Sequence, residues 1–189
     1  NTNMEKTLTR DELLLQLLQK AQNPFTTPQQ MNDIKQVLLT SSNFQGKNHI
    51  YLLRCFFNEV EPLFLITEQE AIQQAYFALK ENHPFSCYYL YKLLKDRDPV
   101  KARNYLRICV DYAYPEAYLE MAKCQHYGIL FEQNRKSAFE YYKKAALCQR
   151  KEGYYGMLLM ACEDGDTDLE EEIYKEAKKR GFLLPGIVE

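Results

Sequence analysis

Residues 117–146 read AYLEMAKCQHYGILFEQNRKSAFEYYKKAA, and this stretch decides the fold. In its second half Ala138, Tyr141, Tyr142, Ala145 and Ala146 recur with the spacing of one buried helix face. Asn134 stands just ahead, where a side-chain oxygen can satisfy free helix amides. The pattern repeats upstream. Lys101-Ala102-x-x-Tyr105-Leu106-x-Ile108-Cys109-Val110 aligns without a gap on Ser137-Ala138-x-x-Tyr141-Tyr142-x-Lys144-Ala145-Ala146, an offset of 36 residues, and Asp98 matches Asn134. Glu70-Ala71-x-x-Gln74-Ala75-x-Phe77-Ala78-Leu79 matches at an offset of 31, which implies a shorter loop. Glu171-Glu172 through Ala177 and Gly181 continue the series. The small residues Ala71, Ala102 and Ala138 let two helices approach, and a bulky Tyr or Leu fills the space beside them. One such hairpin cannot bury its apolar face alone, so the hairpins must stack.

Helix starts are marked throughout. Thr9-Arg10-Asp11-Glu12, Thr27-Pro28-Gln29-Gln30, Thr67-Glu68-Gln69-Glu70 and Thr167-Asp168-Leu169-Glu170 all read as capping boxes, and Asp98-Pro99 sets an N-cap acid before a first-turn proline. Leu14, Leu17, Leu18 and Ala21 follow the helical template, and no segment sustains a period of two. The expected fold is all-α, a right-handed α-α superhelix (solenoid) of antiparallel helical hairpins with no β-sheet. Ten helices are expected near 9–22, 28–41, 47–58, 67–81, 84–95, 98–112, 115–127, 134–149, 152–163 and 167–180. Residues 1–45 read as N-terminal capping helices, 46–181 as the helical repeats and 182–189 as a C-terminal tail. The tail, Phe182-Leu183-Leu184-Pro185-Gly186-Ile187-Val188, is apolar enough that it should be covered, over the last hairpin or in a neighbour's groove.

The segment 117–146 resembles a Sel-one-like repeat, a cousin of the tetratricopeptide repeat. The residues in the family's places are Ala117, Leu119, Met121-Ala122, Gly128, Asn134, Ser137-Ala138, Tyr141-Tyr142 and Lys144-Ala145-Ala146. The likeness extends to 84–113, is partial over 47–82 and 153–181, and does not reach 1–45. Gln125 stands where the family has Tyr, Ala122 where it has a second small Gly, and Leu130 where it has a loop Gly. The resemblance implies adaptor roles in assembling protein complexes. One branch of the family links its helices by cysteines eight residues apart, and no such pair occurs here.

The remaining composition narrows the function. The 189 residues carry 24 Lys and Arg against 26 Asp and Glu, a net charge of −2 that argues against a nucleic-acid partner. No stretch reaches the roughly 20 apolar residues of a membrane span. Cys55, Cys87, Cys109, Cys124, Cys148 and Cys162 contain no CxxC and sit among apolar neighbours, so they read as free thiols filling a core, in a cytoplasmic protein. The three histidines, His49, His83 and His126, belong to no catalytic or metal-binding motif. Cys124 and His126 point to different helix faces. Glu163-Asp164-Gly165-Asp166-Thr167-Asp168 has its glycine misplaced for a calcium loop and reads as a solvated turn whose acids favour the next helix start. No catalytic residue, cofactor or metal is expected.

The candidate site is a stripe on the first helix of each hairpin: Tyr51 and Arg54, then Tyr89 and Lys92, then Glu120, Lys123 and Tyr127. Each set shares one helix face. If stacking aligns the sets along a concave surface, they form a ladder suited to a protein or peptide partner with acidic groups. The expected function is a non-enzymatic protein- or peptide-binding scaffold or adaptor, a monomer or weak dimer, with no membrane partner. The alternatives are a self-associating structural subunit, or an enzyme or small-molecule site between hairpins to which Cys124 and His126 would contribute.

Overall fold

A computed structural model describes residues 7–186. Among the described residues the chain is all-helical, with α1 (Arg10–Gln22), α2 (Pro28–Thr40), α3 (Lys47–Phe56), α4 (Glu68–Lys80), α5 (Ser86–Leu94), α6 (Pro99–Asp111), α7 (Pro115–Tyr127), α8 (Arg135–Leu147), α9 (Lys151–Glu163) and α10 (Thr167–Lys179). Every expected helix is present, with ends displaced by no more than two residues. Two compact units divide between α5 and α6, at Arg97 and Asp98. Within each, consecutive helices pack against one another. The division falls inside the hairpin expected over 84–113.

The caps explain why the helices begin where they do. Thr9, Thr27 and Thr67 each accept the third amide, and Glu12, Gln30 and Glu70 reach back to the cap. Asp98 and Asn134 accept from Lys101 and Ser137. The fourth expected box is displaced. Asp166, not Thr167, caps α10, accepting from Leu169. The reason lies in the preceding turn. Helix α9 ends with Gly165 at φ 65°, while the Asp166 amide donates to Ala161 and the Gly165 amide to Cys162. This Schellman closure already places Asp166 outside α9 with its side chain at the next helix start.

The same closure ends α3, α4, α6, α8 and α10, with Asn58, Asn82, Ala113, Gln149 and Gly181 in the left-handed region. At α10 it reverses the chain and returns Phe182 to the core, 5.5 Å from the Tyr154 ring. Phe182 and Leu184 are half-buried there, and Tyr174 donates to the Pro185 carbonyl at 3.3 Å. The expected covering of the tail is met only in part, at Phe182 and Leu184, since Leu183 is 79% exposed; Ile187 and Val188 lie outside the described residues. Leu130, after α7, also takes a positive φ, 64°.

The first unit's core joins Leu14, Ile34, Leu38, Leu52 and Phe64. Its polar ties are buried as well. Asn48 donates to the carbonyls of Leu38 and Ser41 at 2.7 and 2.9 Å, and Gln74 donates to Leu39 at 3.1 Å. These amides satisfy carbonyls at the end of α2 that have no partner within the helix. Gln74 also meets His49 Nδ1 at 2.5 Å.

The second unit's core is built on small residues. Ala122, Ala138, Ala145 and Ala161 line it beside Leu158 and Ile173. Gly153 and Gly156 on α9 press against α8. A Cβ at Gly153 would fall 2.4 Å from the Ala146 nitrogen and the Tyr142 carbonyl, and one at Gly156 would enter the Tyr142 ring. Arg135 at the start of α8 pairs with Asp164 after the end of α9, so the two helices run antiparallel. Ala71, Ala102 and Ala138 are fully buried, as the repeat requires. The cysteines follow expectation in part. None forms a disulfide; Cys55, Cys109 and Cys124 are buried and Cys87 is half-buried, but Cys148 and Cys162 are exposed, since they lie at helix ends beyond the packed face.

Candidate functional site

The seven stripe residues divide between the units, four in the first and three in the second. In the first unit they do not share one surface. Tyr51 is half-buried against the α1–α2 core, and burial together with the Cys55 thiol raises its hydroxyl pKa. Tyr89 is only 4% exposed. Its hydroxyl donates to Glu59 Oε2 at 2.5 Å and its ring stacks on Phe57. Burial and the Glu59 bond raise its pKa, while Arg54, close to the same hydroxyl, pulls the other way.

Lys92 comes to the same place. Its ammonium lies 3.4 Å from Glu59 Oε1 and 3.9 Å from the Phe57 ring centroid, with Tyr88 5.4 Å away. Arg54, Tyr89 and Lys92 therefore form one cluster, and its organising residues are Phe57 and Glu59, which the stripe did not include. The closure of α3 explains them. Asn58 at φ 55° turns the chain, the Glu59 amide donates back to Arg54 at 2.9 Å, and the two flanking side chains swing toward α5. An Asn directly after a helical run was the available signal.

In the second unit Glu120 and Lys123 pair at 3.8 Å across one helix turn, with Lys123 exposed. Tyr127 is 54% exposed, yet its ring is not loose. It stacks on His126 with centroids 4.2 Å apart. His126 is almost wholly buried; its Nδ1 meets the Tyr142 hydroxyl at 3.1 Å and its Nε2 meets Glu163 Oε1 at 2.6 Å. The His126 bond holds the Glu163 carboxyl below the usual range, helped by Arg135. Burial, then the neighbouring Tyr127 and Glu163, push the Tyr142 hydroxyl up to about 12.

Both imidazole nitrogens are therefore engaged inside the protein, and the group acts as a clamp beneath Tyr127. Leu119, Ala122 and His126 lie at i, i+3 and i+7, so the periodicity placed the histidine on the buried face. That Tyr142 and Glu163 would meet it there depends on how α8 and α9 pack, which α7 alone does not reveal.

An open cleft of about 380 Å³ lies between α8, α9 and α10, floored by Phe139, Leu147, Tyr154, Met157, Leu169 and Ile173. Neither Cys124 nor His126 lines it. Among the described residues no group of three or more His, Cys, Asp or Glu could hold a metal, and no helix is long and apolar enough to cross a membrane. No family model matches the chain, and no curated protein matches it.

Proposed function

We propose that this chain is a cytoplasmic, non-enzymatic scaffold of the Sel-one-like kind, binding a protein or peptide through first-helix side chains. The observation that carries the reading is Tyr127, more than half exposed and fixed on the clamped His126. An aromatic side chain held rigid before binding loses little freedom on contact, and Tyr is over-represented among residues that dominate interface energies. Lys123, one turn away on the same face, adds a cation beside it. The reading also includes a monomer or weak dimer, with neither nucleic acid nor membrane as partner.

The test places a benzophenone amino acid at position 127, with a control at the exposed Gln36 on α2, and irradiates each in native lysate. A discrete adduct at 127 alone, weakened by Lys123→Glu, is the expected result. Identical adducts at both positions, or none at 127, would overturn the reading and leave Tyr127 as hydrated surface.

A further inference from the structure

We propose that the Arg54–Tyr89–Lys92 cluster of the first unit is a site for an acidic peptide, and that Glu59 occupies it as an internal competitor. This rests on the scaffold reading and specifies the partner's chemistry. The Glu59 carboxylate makes the contacts an acidic side chain from a partner would make: one oxygen on the Lys92 ammonium, the other on the Tyr89 hydroxyl. The ammonium lies over the Phe57 ring with Tyr88 farther off, so its position is favoured before a ligand arrives.

Charge favours an anion. Two cations, Arg54 beside the Tyr89 hydroxyl and Lys92 beside Glu59, stand in the cluster with the carboxylate of Glu59. His83 nearby adds no cation, because burial, then Arg54 and Lys47, hold its imidazole below its ordinary range. Lys47 itself is engaged by Asp11 at 2.6 Å. The excess charge therefore centres on Arg54 and Lys92.

The internal contact is also one that can yield. The Lys92–Glu59 distance of 3.4 Å exceeds the roughly 2.7–2.9 Å of a strong charge-assisted bond. The two side chains are 23% and 35% exposed. The Glu59 backbone is fixed by the closure of α3, and its side chain can rotate outward without unmaking that turn. Doing so breaks its 2.5 Å bond from the Tyr89 hydroxyl, which an incoming carboxylate must replace. A partner presenting successive acids could take the Lys92 position with one and reach Arg54 with the next.

The probe is fluorescein-labelled hexaglutamate, with hexalysine as control, followed by anisotropy at low ionic strength. Hexaglutamate is expected to bind in preference to hexalysine. Glu59→Gln, which removes the competitor's charge and keeps its shape, is expected to tighten binding about three- to fivefold, the scale of a part-exposed ion pair. Lys92→Met keeps the stem over Phe57 and is expected to weaken binding by about fivefold or more. Lys178→Glu, on the other unit, should leave it unchanged. Thermal melts establish that each variant is folded.

Weaker binding in both Glu59→Gln and Lys92→Met would overturn the proposal, because Glu59 would then support the site rather than compete for it. Equal binding of hexaglutamate and hexalysine would overturn it as well. A position-127 adduct obtained alongside either result would leave the scaffold reading standing while this proposal fell.

Discussion

The two units join their helices by different means. The first uses buried polar side chains: Asn48 and Gln74 reach across to the spent end of α2, and His49 is tied to Gln74. The second uses the absence of side chains: Gly153 and Gly156 let α9 settle on α8 at a distance no Cβ would permit. A buried hydrogen bond demands one pairing of donor and acceptor, whereas a glycine contact demands only room. Specificity in the first unit therefore rests on chemistry, whereas in the second shape sets the α8–α9 contact and the buried His126 adds a polar tie, from α7 to Tyr142 and Glu163.

The largest effect should come from Gly153→Ala. In an ordinary helix interior this change stabilises by about 1 kcal/mol. Here the new methyl has two backbone atoms at 2.4 Å, and neither is a flexible side-chain end. Its sign should reverse, to a loss of about 3 kcal/mol, the upper part of the range for overpacked sites. Urea unfolding measures it; a stabilised variant would mean that the α8–α9 contact is looser than described.

Gln74→Leu is the matching cut in the first unit. It leaves the Leu39 carbonyl and His49 Nδ1 without their buried partner, a loss of about 2 kcal/mol. Hydrogen exchange should localise the weakening to α2–α4. Exchange that quickens equally in α8–α9 would erase the contrast between the units.

A smaller effect depends on pH. The Glu163 carboxyl titrates lower in the folded chain than its ordinary 4.5, chiefly through its bond to His126. A depressed carboxyl adds stability above its unfolded value and loses it as pH falls through the folded one. The thermal-stability advantage of wild type over Glu163→Gln should therefore be full near neutrality and shrink as pH drops below about 4.5. A constant gap from pH 6 to pH 3 would show that His126 and Glu163 do not interact as described.

The smallest effect concerns the helix ends. At its Schellman closures the first unit places Asn58 and Asn82 in the left-handed region, and the second places Ala113 and Gln149 there beside Gly165 and Gly181. Asn tolerates that conformation better than Ala or Gln does. Ala113→Gly and Gln149→Gly should each stabilise by about 1 kcal/mol. Asn58→Gly should gain less, and melting temperatures suffice to rank the three.

The limits of the sequence follow from the same physics. Caps and apolar spacing are local, so Thr9, Thr27, Thr67, Asp98 and Asn134 marked their helices before any packing was known. The small residues at Ala71, Ala102 and Ala138 foretold close approach for the same reason. Asp166 was missed because two helices share it, one using its amide and the next its carboxylate. The candidate site was legible only in outline. The stripe identified Arg54, Tyr89 and Lys92, but spacing alone could not show that Tyr51 turns inward or that Glu59 reaches Lys92. Those contacts depend on the depth and register at which neighbouring helices meet.

The Schellman closures bear on how the chain is made. Each is completed by backbone groups at most five residues apart, such as the Phe182 amide on the Ala177 carbonyl. A helix end of this kind needs nothing synthesised later. As the polypeptide leaves the ribosome, each turn can set while the following helix is still being translated, and the next helix then has a fixed neighbour on which to dock. Contacts this local in sequence favour rapid ordering. The repeated turn thus gives the protein a way to fold in the order in which it is written.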